Sequence, residues 1–596
     1  MYILQHQQPK KRNLQRDTLE TGKTRRNVSI LSSPLEHSSA DSLEAPGVPW
    51  RASPTASTVI RSGRIEFRHR EEASTIEVFY DLFFVANLNT FTNSKDVSDT
   101  QTLAAYLAFF GLMWFTWLQV TLFDVRFGMD SLFERICRAV HFGVMTGFAV
   151  VGPNFFPKRE TGYPLHDTFQ TFSLILMVSR IVLVMQYGTV IWYTRANKQT
   201  LTPLLITTGA LAVSAAIFLG IYFAFLRGHI MAHIGWYVVM FVEATVVFSV
   251  SAWWRCVSFV RTHLVSRMGL LTLIILGEGV IGTAVSLKLV FGGMGFFSAS
   301  VIGQVVSVVT LLPRITPKGF VRQPFWAFLH FPLHVALLLV VEGIRQFTLW
   351  NAAVEQIHRA SAKLEPLIDN PPDKRTLVNV FNSTVHAVYR QARNSATAQT
   401  DASYEEKAVI EEKLAGIRRS SAGVDSNETA TALNEVYNTF VVYIVQTFSG
   451  ETPESGLDRR GHYDADTQLQ HITSTIELVF FYTFISAGCA LIMLGILMAF
   501  GKKKRTRGDN LTIGTRITFG LALGLLALLA SNDRAMSNFV LSSWVLPTIV
   551  LTIGLVIVID NSLMYFFPQA YRVEPSKGGD MTDGMDEVQN KNRNGS

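Results

Sequence analysis

Long runs of apolar residues, separated by polar turns, organise this chain of 596 residues. Runs of about 18 or more apolar residues with few charges are typical of helices that cross the hydrocarbon core of a bilayer. The pattern therefore predicts an all-α, polytopic transmembrane helical bundle of about 12 spans. The first and eighth runs are short or interrupted by polar groups. The spans lie near residues 75–92, 102–123, 137–156, 168–192, 202–225, 233–254, 267–288, 296–313, 324–344, 474–500, 513–531 and 539–567.

The polar segments divide the chain into five parts. Residues 1–73 mix Ser, Pro, Arg and Glu without apolar periodicity, which predicts a disordered cytoplasmic tail, and residues 568–596 form a second such tail. A transmembrane domain of about nine spans occupies 74–344, and three further spans occupy 474–567. Between them, residues 345–473 have an amphipathic helical pattern, and we predict a helical insert on the non-cytoplasmic side.

Two features of the insert bear on its position. The sequons at Asn382 and Asn427 are compatible with a lumenal or extracellular location. The segment FVVYIVQTF, residues 440–448, is apolar but too short to cross a bilayer.

Composition and charge agree with a membrane protein. The chain is 48% hydrophobic and only 17% charged, whereas soluble proteins carry about a quarter charged residues. Its three cysteines lie in or beside apolar runs, so neither a disulfide framework nor a zinc pattern is present, and we predict no metal and no cofactor. Loops on the side of the N-terminus, counted with the adjoining ends of the spans, carry 17 Lys and Arg, among them Arg126, Arg138, Arg267 and Arg516, against 6 in the opposite loops. This asymmetry predicts that both termini are cytoplasmic, in the plasma membrane or an internal membrane, and it explains the net charge of +7 without nucleic-acid binding.

Two acids, Glu77 and Asp81, lie in the first span, four residues apart and hence on one helix face. A charge at the centre of a bilayer costs about 2.5–3.5 kcal/mol on insertion scales, so such residues normally face a protein interior. An alternative for Glu77 is a capping box that begins at Ser74, and the same four letters recur at 474–477. Helix capping does not explain Asp81, which lies a full turn deeper.

A third acid, Glu278, lies in the middle of the seventh span between Gly277 and Gly279. The glycines fit helix packing through small-xxx-small pairs such as Gly279 and Thr283. Packing does not explain a carboxylate at this depth, which favours a proton or cation site.

One arginine, Arg180, lies in the middle of the fourth span and stays charged in apolar surroundings. The simplest prediction is a buried ion pair between Arg180 and Glu77, Asp81 or Glu278. Two further acids, Glu243 and Asp560, lie in other spans, so the acids in the spans outnumber this arginine. Unpaired buried acids tend to hold protons, as a proton relay requires.

The ninth span contains His330 and His334 on one helix face, with Glu342 two turns further on. This spacing could hold a metal, but Pro332 between the histidines bends a helix. Two hydrogen-bonded interior histidines are the favoured interpretation, and a membrane metal enzyme would need further histidine pairs near one surface.

Two stretches together resemble the low temperature requirement A (LtrA) family of membrane proteins. The family's E-L-F-F-D-L-V-F-V segment appears as EVFYDLFFV at residues 77–85. Its H-x-x-E-R-F-G-L and L-G-E-S segments appear as HLVSRMGL at 263–270, which contains His263 and Arg267, and as LGEG at 276–279. Ser266 replaces the usual acid, and Gly279 replaces the usual serine.

The resemblance covers roughly residues 70–345. It implies a multi-span membrane protein, linked by name to growth in the cold, and it implies no particular reaction or transported species. The tails, the insert and the last three spans are similar to the arrangement of fungal relatives.

Three hypotheses follow for function. The leading one is a secondary transporter or proton-coupled permease for an unknown small solute or ion, with Glu77, Asp81 and Glu278 as a midplane acidic site and Arg180 as counter-charge. A second is a membrane-embedded enzyme acting on lipid, through a metal at the two histidines of the ninth span or through His263 and Arg267; no nucleophile or phosphate-loop motif supports it, so we expect no enzyme. A third is a non-catalytic membrane scaffold, in which the buried charges only fix helix packing.

Overall fold

The computed structural model describes residues 30–31, 33–34, 67, 73–92, 97–155, 165–260, 262–294, 322–369, 373–394, 402–421, 423, 426–449, 465–501, 505–542 and 544–566. Regular structure in these residues is helical. The helices are α1 Thr75–Thr92, α2 Thr100–Phe127, α3 Leu132–Val151, α4 Leu165–Thr194, α5 Lys198–Leu226, α6 Ile234–Trp253, α7 Leu264–Met294, α8 Arg322–Phe328, α9 His330–Asp369, α10 Lys374–Asn394, α11 Ala402–Arg419, α12 Asn427–Ser449, α13 Ala465–Gly501, α14 Arg507–Leu526, α15 Asp533–Leu541 and α16 Val545–Phe566.

The predicted membrane architecture is confirmed. Within the described residues, ten helical stretches are long and apolar enough to cross a bilayer: α2 to α7, the unit of α8 and α9, α13, α14 and α16. The first predicted span forms α1, which is too polar to count among the ten. The eighth predicted span, 296–313, lies outside the described residues, as do most of the 1–73 tail and nearly all of the 568–596 tail. The twelfth predicted span, 539–567, falls on the end of α15 and on α16, because the helix is interrupted between Leu541 and Val545.

The ninth span begins with a break at Leu329, between α8 and α9. Pro332 has no N–H to donate to the carbonyl of Phe328, and its ring clashes with that carbonyl, so the helix is interrupted one turn before the proline. Helix α9 then runs for 40 residues and passes unbroken through residue 345, where the sequence pattern placed the start of the insert.

The insert forms a helical bundle with a hydrophobic core of its own. Phe381 of α10, Leu414 of α11 and Phe440 of α12 meet in that core, and α9 and α13 extend into it from the membrane domain through Leu364 and Ile472. The apolar segment 440–448 is the last part of α12, where five consecutive residues from 442 to 446 are buried, so the helix is covered on all sides there.

A helix start at 474 was expected from the repeated capping sequence, and this expectation is wrong. Helix α13 already begins at Ala465, and Ser474 lies inside it with its hydroxyl donating to the carbonyl of His471 at 2.8 Å. The apolar residues before it, such as Ile472, are buried in the core of the insert and continue the helix.

Contacts along α7 show that its neighbours α1 and α9 both run parallel to it. Arg267 contacts Asp81 and, further along, Glu278 contacts Asn89, so both helices advance in the same direction. On the side of α9, Thr272 contacts His334. Gly279, seven residues further along α7, then contacts Val341, seven residues further along α9. We call the end of the bundle where α1 and α7 begin the near end, and the opposite end the far end. The insert lies at the far end, because α9 reaches it after passing α7.

The close approach of α7 and α9 depends on Gly279. A Cβ atom at this position would overlap the side chain of Val341, whereas a Cβ atom at Gly277, two residues earlier on the same helix, meets no atom within 4 Å. The glycine predicted to pack helices does so, against α9.

We expect Gly279→Ala to lower the midpoint of thermal unfolding in detergent, by an amount that corresponds to about 1–3 kcal/mol, because overpacking forces the two helices apart. The matched control is Gly277→Ala, which should leave the midpoint unchanged or raise it slightly. Equal midpoints for the two variants would contradict the packing described here.

Candidate functional site

A buried cluster of four ionisable side chains joins α1 to the start of α7 at the near end. Glu77 and Asp81 come from α1, and His263 and Arg267 come from α7 and the turn before it. We call these four residues the Arg267 cluster. Nε2 of His263 lies 2.8 Å from Oε2 of Glu77, and Arg267 donates through Nη1 to the same oxygen at 3.4 Å. All four side chains are fully excluded from solvent.

Arg267 also holds the second acid of α1. Its Nη2 atom donates to Oδ1 of Asp81 at 2.7 Å, and the indole N–H of Trp117, from α2, donates to the same oxygen at 2.7 Å. The other oxygen, Oδ2, is buried and has no hydrogen-bond partner among the described residues. Arg267 therefore binds one oxygen of each of two carboxylates, and Oδ2 of Asp81 can accept a further hydrogen bond.

The local sequence explains why Glu77 reaches this cluster. Ser74 precedes α1 and accepts a 3.4 Å hydrogen bond from the N–H of Glu77, while its hydroxyl donates to Oε1 at 2.9 Å. The capping role predicted for Ser74 and Glu77 thus coexists with the ion pair, because each oxygen of Glu77 serves one role. On α7, His263 and Arg267 are four residues apart and share the face that meets α1.

The predicted ion pair of Arg180 with Glu77, Asp81 or Glu278 is not formed. Helix α4 packs against α3 and α5 rather than between α1 and α7, so Arg180 pairs with Glu243 of α6 instead, with Nε 3.2 Å from Oε2. Both side chains are fully buried. The guanidinium also lies 3.3 Å from the hydroxyl of Thr116 and over the ring of Phe218, at 5.5 Å from its centroid.

The third predicted acid, Glu278, lies apart from the Arg267 cluster. It lies eleven positions after Arg267 on α7, which is about 16 Å along a helix. Its carboxylate accepts a 3.3 Å hydrogen bond from the side-chain amide of Asn89, near the end of α1, and no cationic side chain of the described residues forms an ion pair with it. Glu278 is 7% exposed, so it is a largely buried carboxylate held by an amide.

Glu342, on α9 at the far end, has partners of its own. Nη2 and Nε of Arg345 donate to its two oxygens, the first at 2.6 Å, and Gln346 donates at 2.8 Å. The buried hydroxyl of Tyr106 lies within electrostatic range of Glu342, Arg345 and Glu278. At the far end, Glu278 thus lies near the ion pair of Glu342 and Arg345.

Hydrogen bonds fix the role of His334. The indole N–H of Trp114 can only donate, and it lies 3.0 Å from Nδ1, so that nitrogen accepts. Nε2 then carries the proton and donates to Thr272 at 2.8 Å, while the threonine hydroxyl donates to the carbonyl of Met268. Nδ1 of His330 bonds to the backbone carbonyl of Trp326 at 2.8 Å. In the described part of the chain, no group of three His, Cys, Asp or Glu is arranged to hold a metal.

Asp560, another acid predicted to be surplus, is paired. Arg516 of α14 donates to Oδ2 through Nη2 at 2.7 Å and through Nε at 3.0 Å. The sequence pattern treated Arg516 as a loop residue, but it lies inside α14, opposite α16.

A second near-end network was not predicted from the sequence, because its two acids, Asp124 and Glu134, lie just outside the predicted spans. Gln186 of α4 donates to Glu134 at 2.8 Å and bonds to His141 at 3.0 Å, which links α3 to α4. Arg138 lies 3.7 Å from Asp124, a buried acid within electrostatic range of Glu77 and Arg267. Glu134, Arg138 and His141 recur at intervals of three and four residues, which could have indicated a polar helix face.

The fold and these buried charges define an integral, multi-pass membrane protein. Residues 72–363 match the family model for the bacterial low temperature requirement A protein (LtrA). The match contains the EVFYDLFFV segment, His263, Arg267 and Glu278, and it confirms the resemblance of this part of the chain to the LtrA family. No match was found among curated proteins or among solved structures.

We expect Arg180→Met to destabilise the protein by about 3–5 kcal/mol, because it leaves Glu243 buried without its cation. The double variant Arg180→Met/Glu243→Met should recover most of that loss, since it removes both charges. Midpoints of thermal unfolding in detergent measure both effects.

The control is the exposed pair of Arg359 and Glu355 in the insert, whose side chains are each 49% exposed. Breaking an exposed pair should cost about 0–1 kcal/mol. A double variant as unstable as Arg180→Met would show that the two side chains are not mutual partners.

Proposed function

We propose that this protein is a secondary transporter, a proton-coupled permease for a small solute or ion, in which Glu278 binds and releases the proton. The observation that carries the proposal is the environment of Glu278: a largely buried carboxylate inside a membrane helix, held by the amide of Asn89 rather than by a cation. A carboxylate in such surroundings is stable only with a proton or a bound cation.

The other buried acids support this assignment by contrast. Glu77 and Asp81 share Arg267, Glu243 has Arg180, and Asp560 has Arg516. Each of these acids has an arginine, which stays charged, as its counter-charge. Glu278 is therefore the first candidate for proton binding among the acids predicted from the sequence, and the Arg267 cluster anchors α1 to α7 nearer the start of both helices. The free Oδ2 atom of Asp81 makes this acid the second candidate for proton binding.

Apolar side chains separate the two polar ends of the α1–α7 interface. Phe84 and Leu88 of α1, together with Leu271 and Ile275 of α7, are at most 1% exposed and lie between the levels of Arg267 and Glu278. An alternating-access mechanism needs such a closed layer between a substrate site and one face of the membrane.

We further propose that the near end faces the cytoplasm. Lys- and Arg-rich connections lie there, among them the one between α4 and α5, with Arg195 beside Lys198, and the one before α14, with the run KKKR at 502–505, while the insert with its two sequons lies at the far end. In this orientation Glu278 lies toward the outer face of the bilayer, and both termini are cytoplasmic.

A scaffold role is the second candidate, and the Arg180–Glu243 pair favours it, since that fully buried ion pair links α4 to α6. A lipid-active enzyme has less support: both ring nitrogens of His334 are occupied by Trp114 and Thr272, which leaves that residue no metal-binding atom.

Proton movement into liposomes that contain the purified protein tests the proposal, with an internal pH dye and a screen of candidate solutes. We expect a solute-dependent pH change that Glu278→Gln abolishes, because glutamine keeps the shape and the hydrogen bond to Asn89 but cannot carry the proton. Asp81→Asn should reduce the rate if Asp81 shares the proton.

The control variant is Glu477→Gln, which removes a half-buried carboxylate of α13 that belongs neither to the Arg267 cluster nor to the surroundings of Glu278. It should transport like the wild type. Uptake that survives Glu278→Gln unchanged contradicts the assignment, and the absence of any solute response together with a lower stability of that variant supports the scaffold.

A further inference from the structure

Two acids lie at the close contact between α7 and α9, where Gly279 meets Val341. Glu278 precedes the glycine on α7, and Glu342 follows the valine on α9. The two residues are only 7% and 4% exposed. Arg345 pairs with Glu342 through two of its nitrogens. The site thus has two buried acids for one arginine, and it is electrically neutral only when it also holds one proton, which a buried site favours.

Each of the two acids also has a side-chain amide. Asn89 donates to Glu278 at 3.3 Å, and Gln346 donates to Glu342 at 2.8 Å. An amide N–H can donate to a carboxyl oxygen in either protonation state, so each acid keeps this hydrogen bond whether or not an arginine is beside it. Because the amides are uncharged, they hold the two acids in place without deciding which of them is ionised.

The stem of Arg345 lies on the face of α7 that carries Glu278. A Cβ atom at Gly282 would lie 3.4 Å from Cδ of Arg345, and Gly282 is one helical turn after Glu278. From there the side chain extends back along α9 to Glu342, and because α7 and α9 are parallel, this is also the direction from Gly282 to Glu278. Cβ atoms four residues apart on a helix are about 5–6 Å from each other. Rotation about the outer bonds of Arg345 can therefore bring its guanidinium to Glu278 while the stem stays in place.

A buried tyrosine of α2 lies near the same groups. The hydroxyl of Tyr106 is within electrostatic range of both acids and of Arg345, and it has no hydrogen-bond partner among the described residues. Buried hydroxyls normally have a partner, and a hydroxyl can donate to an ionised acid or accept from a protonated one. In the described part of the chain, the charged and titratable groups near Glu278 thus come from α2 and α9, whereas α1 contributes the uncharged Asn89 and Thr92.

We infer that Arg345 exchanges between Glu342 and Glu278, and that the two acids share one proton. In the structure the arginine is on Glu342, which corresponds to the state in which Glu278 holds the proton. In the second state the O–H bond of Glu278 has broken, the proton is on an oxygen of Glu342, and the guanidinium pairs with Glu278. The total charge of the site is the same in both states, so the exchange needs no other ion. This inference rests on the proposed function, and it adds a counter-charge that moves opposite to the proton.

The test is the infrared band of protonated carboxyl groups in the full-length protein in lipid, followed as the pH of the medium is stepped near neutrality. Glu342→Gln leaves Arg345 with Glu278 as its remaining acid at this site. We expect Glu278 then to stay ionised, so that the pH-dependent band of the wild type is lost. Arg345→Gln has the opposite effect: without the cation both acids should hold protons at every step, and the band should persist without responding to pH. Arg345→Lys keeps a positive charge and should restore the response.

The matched control is Asp560→Asn, which removes the acid of another arginine pair. The side chains of Arg516 and Asp560 are 17% and 11% exposed, against 18% and 5% for Arg345 and Glu342. This variant should keep the wild-type band, and loss of the band here as well would overturn the inference. Midpoints of thermal unfolding show which variants have folded, and if Glu342→Gln has not, Arg345→Gln carries the test.

Two further outcomes separate this inference from the proposed function. A pH-dependent band that both Glu342→Gln and Arg345→Gln leave as in the wild type would overturn the exchange of Arg345, while Glu278 would remain the proton site. A wild-type protein without such a band would contradict the proposed proton site itself, and the exchange with it.

Discussion

The constraint on which this structure depends is the burial of Arg267. A guanidinium in an apolar interior keeps its charge, so it needs acids within reach. Glu77 and Asp81 meet that need because they share one face of α1. Satisfying both fixes the register of α1 on α7 and makes the two helices parallel, and that register carries Asn89 to the level of Glu278. The ion pairs of Arg267 at the near end of the α1–α7 interface thus determine that Glu278, further along α7, contacts Asn89.

The buried acids then fall into two kinds. Most have an arginine, and for these the charge serves helix packing, as the Arg180–Glu243 and Arg516–Asp560 pairs illustrate. Glu278 has an amide instead, and Gly279 beside it lets α9 approach closely, so the acid is enclosed without being neutralised. A membrane protein that needed only rigidity would gain nothing from this arrangement, because an apolar residue in its place would cost less. Glu278 shares the lack of a paired arginine with Glu134, which Gln186 holds, and buried acids of this second kind are what points to function.

The sequence predicted the helices well, because apolar runs and their lengths reflect the bilayer directly. It also identified the interior residues, since a charge within such a run has to avoid lipid. It could not predict partners: periodicity places Arg180 on a face of α4 but does not tell which helix that face meets. Arg267, Arg126 and Arg138 were counted as loop cations, yet all three are buried, because an arginine near a helix end looks the same in sequence whether it points to water or to an acid. The extension of α9 and α13 into the insert also escaped prediction, since their hydrophobicity falls where the surrounding medium changes.

The most direct measurement of the central claim is the infrared absorption of carboxyl groups as the pH of the medium is stepped near neutrality, with the protein in lipid. The account predicts a pH-dependent band of a carboxyl group in apolar surroundings that disappears in Glu278→Gln and persists in Glu243→Gln. A band that persists in Glu278→Gln would show that another acid carries the exchangeable proton, and would contradict the account.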